Sequence, residues 1–178
     1  VASGITTLCT PPDLEPCVDT PAAAELVHLR AGQHGHARVV TVGALTRELA
    51  GESLTEMGAL REIGCVALSN GRRPITNSLI LRRALEYASS HDMTVLLTAE
   101  DSGLRDEGCA HEGEVTTRLG LPGIPSAAET VGVARDLAIV ELTGARAHFC
   151  RLSTAGAVAR VAEARARGLP VSADVAIH

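Results

Sequence analysis

Six short apolar runs, each leading into a helical pattern or a loop before one, constrain this chain more than any other feature. They are Ile5 to Thr10, Arg38 to Val42, Cys65 to Leu68, Thr94 to Leu97, the run beginning at Ala147, and Val171 to Val175, where the chain stops. Strand alternating with helix predicts a parallel sheet covered by helices, because parallel neighbours need a long crossover between them. No glycine-rich dinucleotide fingerprint follows a run, so a barrel segment fits better than a Rossmann arrangement. A closed barrel needs eight strands and roughly 250 residues. The 178 residues here are therefore expected to form an incomplete barrel of about six β/α units, one domain over residues 1–178. Open strand edges are expected too, and with them a tendency to aggregate or to pair with another chain.

Local signals place the helices. One is expected from about Pro21 and another from about Leu54, where Ser53 and Glu56 stand in capping-box spacing. A third spans Asn77 to Ser90, with Leu79, Leu81, Ala84, Leu85 and Ala88 as its apolar stripe. Ser126 and Glu129 mark the start of a fourth, which would turn Val131, Ala134, Leu137, Ala138 and Leu142 inward. Ser153 or Thr154 caps a last helix running through Ala157 to Ala166. Tyr87 and Phe149 are the only aromatics, so the core must be built from Ala, Val, Leu and Ile.

Hydrophobic content of 46% against 21% charged residues argues for a globular chain. The balance of 16 basic and 21 acidic residues argues against a nucleic-acid partner, which needs a concentrated basic patch. Arg160 to Arg167 interleaves arginine with alanine and glutamate and reads as a solvated helix face. The five cysteines are odd in number and contain no C-x-x-C pair, which predicts neither a disulfide framework nor a zinc site. Cys9, Cys65 and Cys150 lie in apolar runs and read as small hydrophobes. No signal peptide and no run of membrane-spanning length is visible. The expectation is a soluble, cytoplasmic protein with no membrane partner.

The chemistry is expected around Ala147-His148-Phe149-Cys150-Arg151-Leu152-Ser153-Thr154-Ala155-Gly156. It reads as strand, turn and helix start, so Arg151 and Ser153 fall at a strand end, where barrel enzymes carry their active sites. Four further motifs accompany it: Thr41-Val42-Gly43-Ala44-Leu45-Thr46, Leu54-Thr55-Glu56-Met57, Ala99-Glu100-Asp101, and the loop from His111-Glu112-Gly113-Glu114 to Gly123-Ile124-Pro125. In this order and spacing the chain resembles the dihydroorotase family of the amidohydrolase superfamily. Its members carry "P-V-G-A-L-T", "H-A-E-D", "H-E-G-E…L-G-L-P-G-I-P" and "H-I-S-T-A-G". The resemblance implies a TIM barrel of the amidohydrolase type whose first and last strands lie outside this chain. It also implies a cyclic amidohydrolase that interconverts carbamoyl aspartate and dihydroorotate, with zinc supplying a hydroxide at neutral pH.

The resemblance can be followed residue by residue. The family's His-x-His strand would lie before Val1, and its last aspartate ligand beyond His178. Of the metal-ligand positions within the chain, the aspartate of "S-D-D-G" is Asn70, the histidine of "H-A-E-D" is Thr98, and the histidine of "H-I-S-T" is Arg151. An arginine offers no lone pair and cannot ligate zinc. The loop after the first run reads "M-P-N-T-N-P" in the family, but here Asp13 and Glu15 replace its two asparagines. Two carboxylates there would repel a dicarboxylate-like substrate. No catalytic residue, metal or cofactor is therefore expected. A residual pocket would draw on Asp13, Glu15, Arg72, Glu100, Asp101, His111, Ser153 and His178.

Plainer roles stand beside these. His148 lies inside a strand and reads as a structural histidine. His28, His34, His36 and His91 fall on helix ends or loops. Glu100 and Asp101 serve equally to anchor a helix. Leu119, Leu121 and Ile124 serve equally as a barrel cover. Three readings remain: an active zinc-dependent dihydroorotase, a non-catalytic dihydroorotase-like subunit, or a metal-free anion binder using Arg151, Arg72 and Arg73. The family includes inactive members that hold aspartate transcarbamoylase together. Resemblance to them implies the catalytic subunit of that enzyme as partner, in a homo- or hetero-oligomer, with the His111 to Pro125 loop as the candidate surface.

Overall fold

The computed structural model describes residues 4–176, so His178 lies outside the described residues. The strands are β1 (Thr7–Thr10), β2 (Arg38–Ala44), β3 (Cys65–Ser69), β4 (Thr94–Leu97), two short strands β5 (Ala110–His111) and β6 (Gly123–Ile124), then β7 (Ala147–Leu152) and β8 (Val171–Val175). The helices are α1 (Pro21–His34), α2 (Met57–Glu62), α3 (Ser78–Ser90), α4 (Ser102–Arg105), α5 (Glu114–Leu119), α6 (Ser126–Thr143) and α7 (Ala155–Ala166). Six strands pair in the order β1-β2-β3-β4-β7-β8, every pair parallel. β5 and β6 form a separate parallel pair inside the long loop after β4. Cys9, Val42, Ser69, Leu96 and Cys150, from five neighbouring strands, line one cavity, so the sheet curls as a barrel segment does. The helices cover its other face. Phe149, Leu68, Val95, Leu81, Leu85 and Val133 are buried between the two layers.

Helix starts follow the side chains that satisfy the free N–H groups of a first turn. Thr20, Asn77 and Thr154 each accept a bond from the first turn of α1, α3 and α7. α2 departs from expectation. It begins at Met57, with Glu56 at its N-cap making no side-chain bond, and the Ser53–Glu56 box does not form. Two tertiary bonds hold the preceding residues extended: Leu54 bridges antiparallel to Thr46, and Thr55 Oγ1 donates to the Ala44 carbonyl at 2.6 Å.

Two helical faces also differ from expectation. In α3, Leu81, Ala84, Leu85 and Ala88 are buried at the i, i+3, i+4, i+7 spacing of one stripe, while Leu79 in the first turn is half exposed. In α6, Val131 and Leu142 face outward and the buried face carries Ala128, Gly132, Val133, Asp136, Leu137 and Val140. The helix is rotated so that Gly132 meets the backbone of Ala99 and Glu100, an approach that any larger side chain would prevent. Ser126 is the first residue of α6, and Pro125 occupies the N-cap position. All five cysteines are free thiols; Cys65 is buried, whereas Cys9 is exposed and does not act as a core residue. His91 is half-buried, its ring edge-on to Tyr87 at 5.1 Å.

Asp136 is the charged residue that α6 places in the core, 2% exposed. Its Oδ1 accepts from Arg135 Nε at 2.9 Å and Nη2 at 2.7 Å. Burial outweighs that guanidinium and pushes the carboxyl up to about 6. The folded chain therefore binds this proton more tightly than the unfolded chain. Stability from this group is greatest below the unfolded value near 4 and falls as pH rises to about 6. A shift of about two units corresponds to about 3 kcal/mol, and loss of the charged bond to Arg135 offsets about 2 kcal/mol of any gain from neutralisation. Asp136→Asn is therefore expected to stabilise the chain by about 1 kcal/mol at pH 8, raising the thermal midpoint by roughly 2–4 °C. The gain should vanish towards pH 4. Thermal melts across that range check this; an equal gain at both ends would contradict it.

Candidate functional site at the strand ends

The tip of β7 has an unusual backbone. The ladder to β8 slips between Phe149 and Leu152, and Arg151 sits at φ 57°, a left-handed conformation costly for a residue with a side chain. It is held there by Asp174 on β8, whose Oδ1 accepts the Arg151 N–H at 2.7 Å. The guanidinium turns the other way, towards β4, where Nη2 donates to Thr98 Oγ1 at 3.1 Å. Thr98 Oγ1 in turn donates to the Gly71 carbonyl at 2.8 Å. Arg151 and Thr98 thus tie three strand ends together.

Asn70, after β3, is buried at 5% exposure and fully occupied. Its Oδ1 accepts from Thr46 Oγ1 at 2.6 Å. Its amide nitrogen donates to the carbonyls of Leu49 at 3.2 Å and Arg73 at 3.1 Å. The donor set at these strand ends is an amide, a hydroxyl and a guanidinium, each already bonded within the protein. Such a set does not fit zinc, which takes imidazole, thiolate or carboxylate donors.

Two cavities open here. One, of about 440 Å³, is bordered by Arg72, Thr98, Glu100, Arg105, His111 and Ser153, among others. Its neighbour, of about 250 Å³, runs below it past Asp13, Arg72 and Arg151 to Cys9 and Cys150. Arg72, Glu100, His111 and Ser153 therefore share the upper cavity, and Asp13 borders the lower one. Glu15 borders neither, and Asp101 is used locally, its Oδ1 accepting the Leu104 N–H as the cap of α4. Glu100 pairs with Arg105 at 3.3 Å. Among the described residues the Arg72 and Arg151 guanidiniums have no carboxylate partner, although Asp13, Glu100 and Glu129 border the same two cavities.

The sequence predicts Glu129 as a cap of its own helix; the structure gives it another task. From the first turns of α6 its carboxylate reaches the turn before α7. Oε1 accepts from Ser153 N–H and Oγ at 2.8 and 3.0 Å. Oε2 accepts from Thr154 N–H and Oγ1 at 2.7 and 2.5 Å. Deeper on β7 and β8, His148 Nε2 lies 2.9 Å from Asp174 Oδ2, and its Nδ1 lies 2.8 Å from Ser172 Oγ. Burial pushes Asp174 up, but bonds from His148 and the Arg151 N–H outweigh it and hold the carboxyl below its ordinary range. Cys150 is driven up to about 11, chiefly by burial, with Asp174 reinforcing and Arg151 opposing. No sequence motif joins His148, Cys150 and Asp174. The available signal was period-two spacing, which puts His148 and Cys150, and likewise Ser172 and Asp174, on one face of adjoining strands.

The loop from His111 to Pro125 carries α5 between the two short strands. Val115, Leu119 and Leu121 are exposed at 58%, 62% and 43%, so Leu119 and Leu121 do not cover the barrel segment. Ile124 is half-buried at the cavity rim. Among the described residues no helix is long and apolar enough to cross a membrane.

Comparison with known proteins gives a consistent result. A family model described as dihydro-orotase-like matches residues 1–157. The chain is 52% identical over 177 residues to the dihydroorotase-like protein of Pseudomonas aeruginosa, covering 99% of this chain and 42% of that protein. It is 49% identical over 178 residues to the dihydroorotase of Syntrophobacter fumaroxidans, covering 100% and 40%. The solved L-hydantoinase (dihydropyrimidinase) of Arthrobacter aurescens superposes with a TM-score of 0.78 at 17% identity, over 97% of this chain and 40% of that one. At that identity the likeness shows the fold alone, a β/α barrel of which this chain forms a segment. The chain spans about two-fifths of the length of these curated relatives.

Proposed function

The chain belongs to the dihydroorotase-like family, and from that membership we propose that it is a non-catalytic component of pyrimidine biosynthesis that supports assembly of aspartate transcarbamoylase in the cytoplasm. One observation carries the loss of catalysis. Asn70, Thr98 and Arg151 fill the three ligand positions within the chain, and each is wired into the protein itself. A metal hydroxide is the nucleophile of the family's reaction, and these groups cannot hold its metal. A cation 4 Å from the Arg151 guanidinium would also be repelled by about 4 kcal/mol per unit charge at an effective dielectric of 20. No catalytic role is assigned to any residue; Asp13, Arg72, Glu100, His111 and Ser153 border what is left of the pocket.

The partner is argued from the surface. Val115, Leu119 and Leu121 expose apolar side chains on a loop that emerges where barrel loops bind. The name "dihydroorotase-like protein" for the Pseudomonas relative supports the same reading, whereas the relative named dihydroorotase favours the alternative, an active zinc-dependent enzyme.

The full-length protein is expected to co-elute with the catalytic subunit of aspartate transcarbamoylase as one large complex. Leu119→Asp should weaken that complex, Arg151→Ala should leave it intact, and the protein alone, supplied with zinc, should not turn over dihydroorotate. Separate elution at micromolar concentration overturns the partner. Turnover by the protein alone overturns the loss of catalysis and establishes the amidohydrolase.

A further inference from the structure

We infer that His148, Cys150 and Asp174 form a binding site for a single zinc-class cation, on the inner face of β7 and β8 and below the strand-end positions. A ring nitrogen of His148, Cys150 Sγ and a carboxylate oxygen of Asp174 all lie within 4.8 Å of one another. Tetrahedral zinc, with bonds of about 2.0–2.3 Å, sets its ligand atoms roughly 3.3–3.8 Å apart, so small side-chain rotations close the shell. The donor types suit a borderline-soft cation: one imidazole, one thiolate and one carboxylate, with a fourth position left for water. Thiolate and carboxylate together balance a divalent charge. The site is independent of Asn70, Thr98 and Arg151 as ligands and implies nothing about dihydroorotate turnover.

Outer partners aim two of the three ligands. Ser172 Oγ stands 2.8 Å from His148 Nδ1 and accepts its N–H in the tautomer that frees the Nε2 lone pair. The Arg151 N–H binds Asp174 Oδ1 at 2.7 Å, which leaves Oδ2 facing His148 at 2.9 Å. The Nε2–Oδ2 contact joins two of the ligand atoms, and a cation would bridge them in place of the hydrogen bond. The Arg151 guanidinium is drawn to Thr98 just after β4, on the side of β7 opposite β8. Side-chain exposures of 25% for His148 and 48% for Asp174 leave a path for entry. Bound there, the cation would fasten the edge strand β8 to β7.

The test is titration of the full chain with zinc and with cobalt(II) alone. One equivalent should bind with a sulfur-to-cobalt charge-transfer band in the near ultraviolet, and zinc should raise the thermal midpoint. Cys150→Ser should abolish the band and the thermal shift while far-ultraviolet dichroism stays unchanged; Cys109→Ser should alter neither. Ser172→Ala should weaken zinc binding by roughly 10-fold, the scale for an outer-shell partner, and Asp174→Asn by more. Absence of the band in the parent chain overturns the site, and so does a band or zinc affinity that survives in Cys150→Ser.

Discussion

Replacing Gly132 with alanine should destabilise the chain by about 2 kcal/mol or more, although alanine is the better helix former. Two effects of opposite sign compete. Within a helix the change is favourable by about 1 kcal/mol. Against it, the new β-carbon would stand 2.6 Å from Glu100 N, 2.7 Å from Ala99 C and 2.9 Å from Glu100 Cα. All three are main-chain atoms, so no side chain can swing aside. Overpacking a tight contact costs about 1–3 kcal/mol, and more where the backbone must move. Here movement would also strain the bond from the Asp101 N–H to the Ala128 carbonyl at 2.8 Å, which fixes the loop after β4 to α6. Packing therefore wins. Urea unfolding should show a lower midpoint with an unchanged slope, and the thermal midpoint should fall by roughly 4–8 °C. An alanine variant as stable as the parent would mean that α6 does not lie this close to Ala99 and Glu100. The effect also reaches the site, since those residues border the upper cavity.

The same contact explains where the sequence was legible. β4 and β8 match their expected bounds because apolar runs between turn signals need no tertiary knowledge. Parallel order follows from alternation, and the six strands pair accordingly. The face of α6 is not legible, because its apolar residues suggest a stripe that the core does not use, taking Gly132 and Asp136 over Val131 and Leu142. Close approach to a strand end decided that, not hydrophobicity. The start of α2 failed for a similar reason: the bonds of Leu54 and Thr55 to the strand before them override the local cap. At the site, motif spacing located Asn70, Thr98 and Arg151, but not what they bond. The Arg151–Thr98 and Asn70–Thr46 pairs join residues 53 and 24 positions apart, and spacing carries no such information. Glu129 is legible in the sequence only as a cap of its own helix, not as the acceptor for Ser153 and Thr154.

That glutamate supports the largest expected loss. Glu129→Ala should destabilise the chain by about 3 kcal/mol and loosen the corner where β7 turns into α7. Four donors converge on the carboxylate: the N–H and hydroxyl of Ser153 and of Thr154, at 2.5–3.0 Å. Hydrogen bonds to a charged acceptor contribute about 1.5–3 kcal/mol each. Their simple sum overstates the loss, because the cavity beside them admits water to the freed groups. Two main-chain N–H groups would still lose an acceptor that the α7 cap cannot replace, since Thr154 Oγ1 already serves Ala157. Glu129→Gln separates charge from size. Its amide keeps one acceptor oxygen and turns an NH2 towards the remaining donors, so it should recover less than half of the loss. Hydrogen exchange at Ser153 and Thr154 should accelerate in both variants, while exchange in β3 changes only with global stability. If Glu129→Ala lies within about 0.5 kcal/mol of the parent, the change would be no larger than at an ordinary surface position, and the corner would owe its shape to something else. If the loss is as large as expected, the strand-end site is held in shape by the protein's own carboxylate. Its geometry would then persist in the chain we propose to be non-catalytic, with Asn70, Thr98 and Arg151 standing where the family resemblance puts its metal ligands.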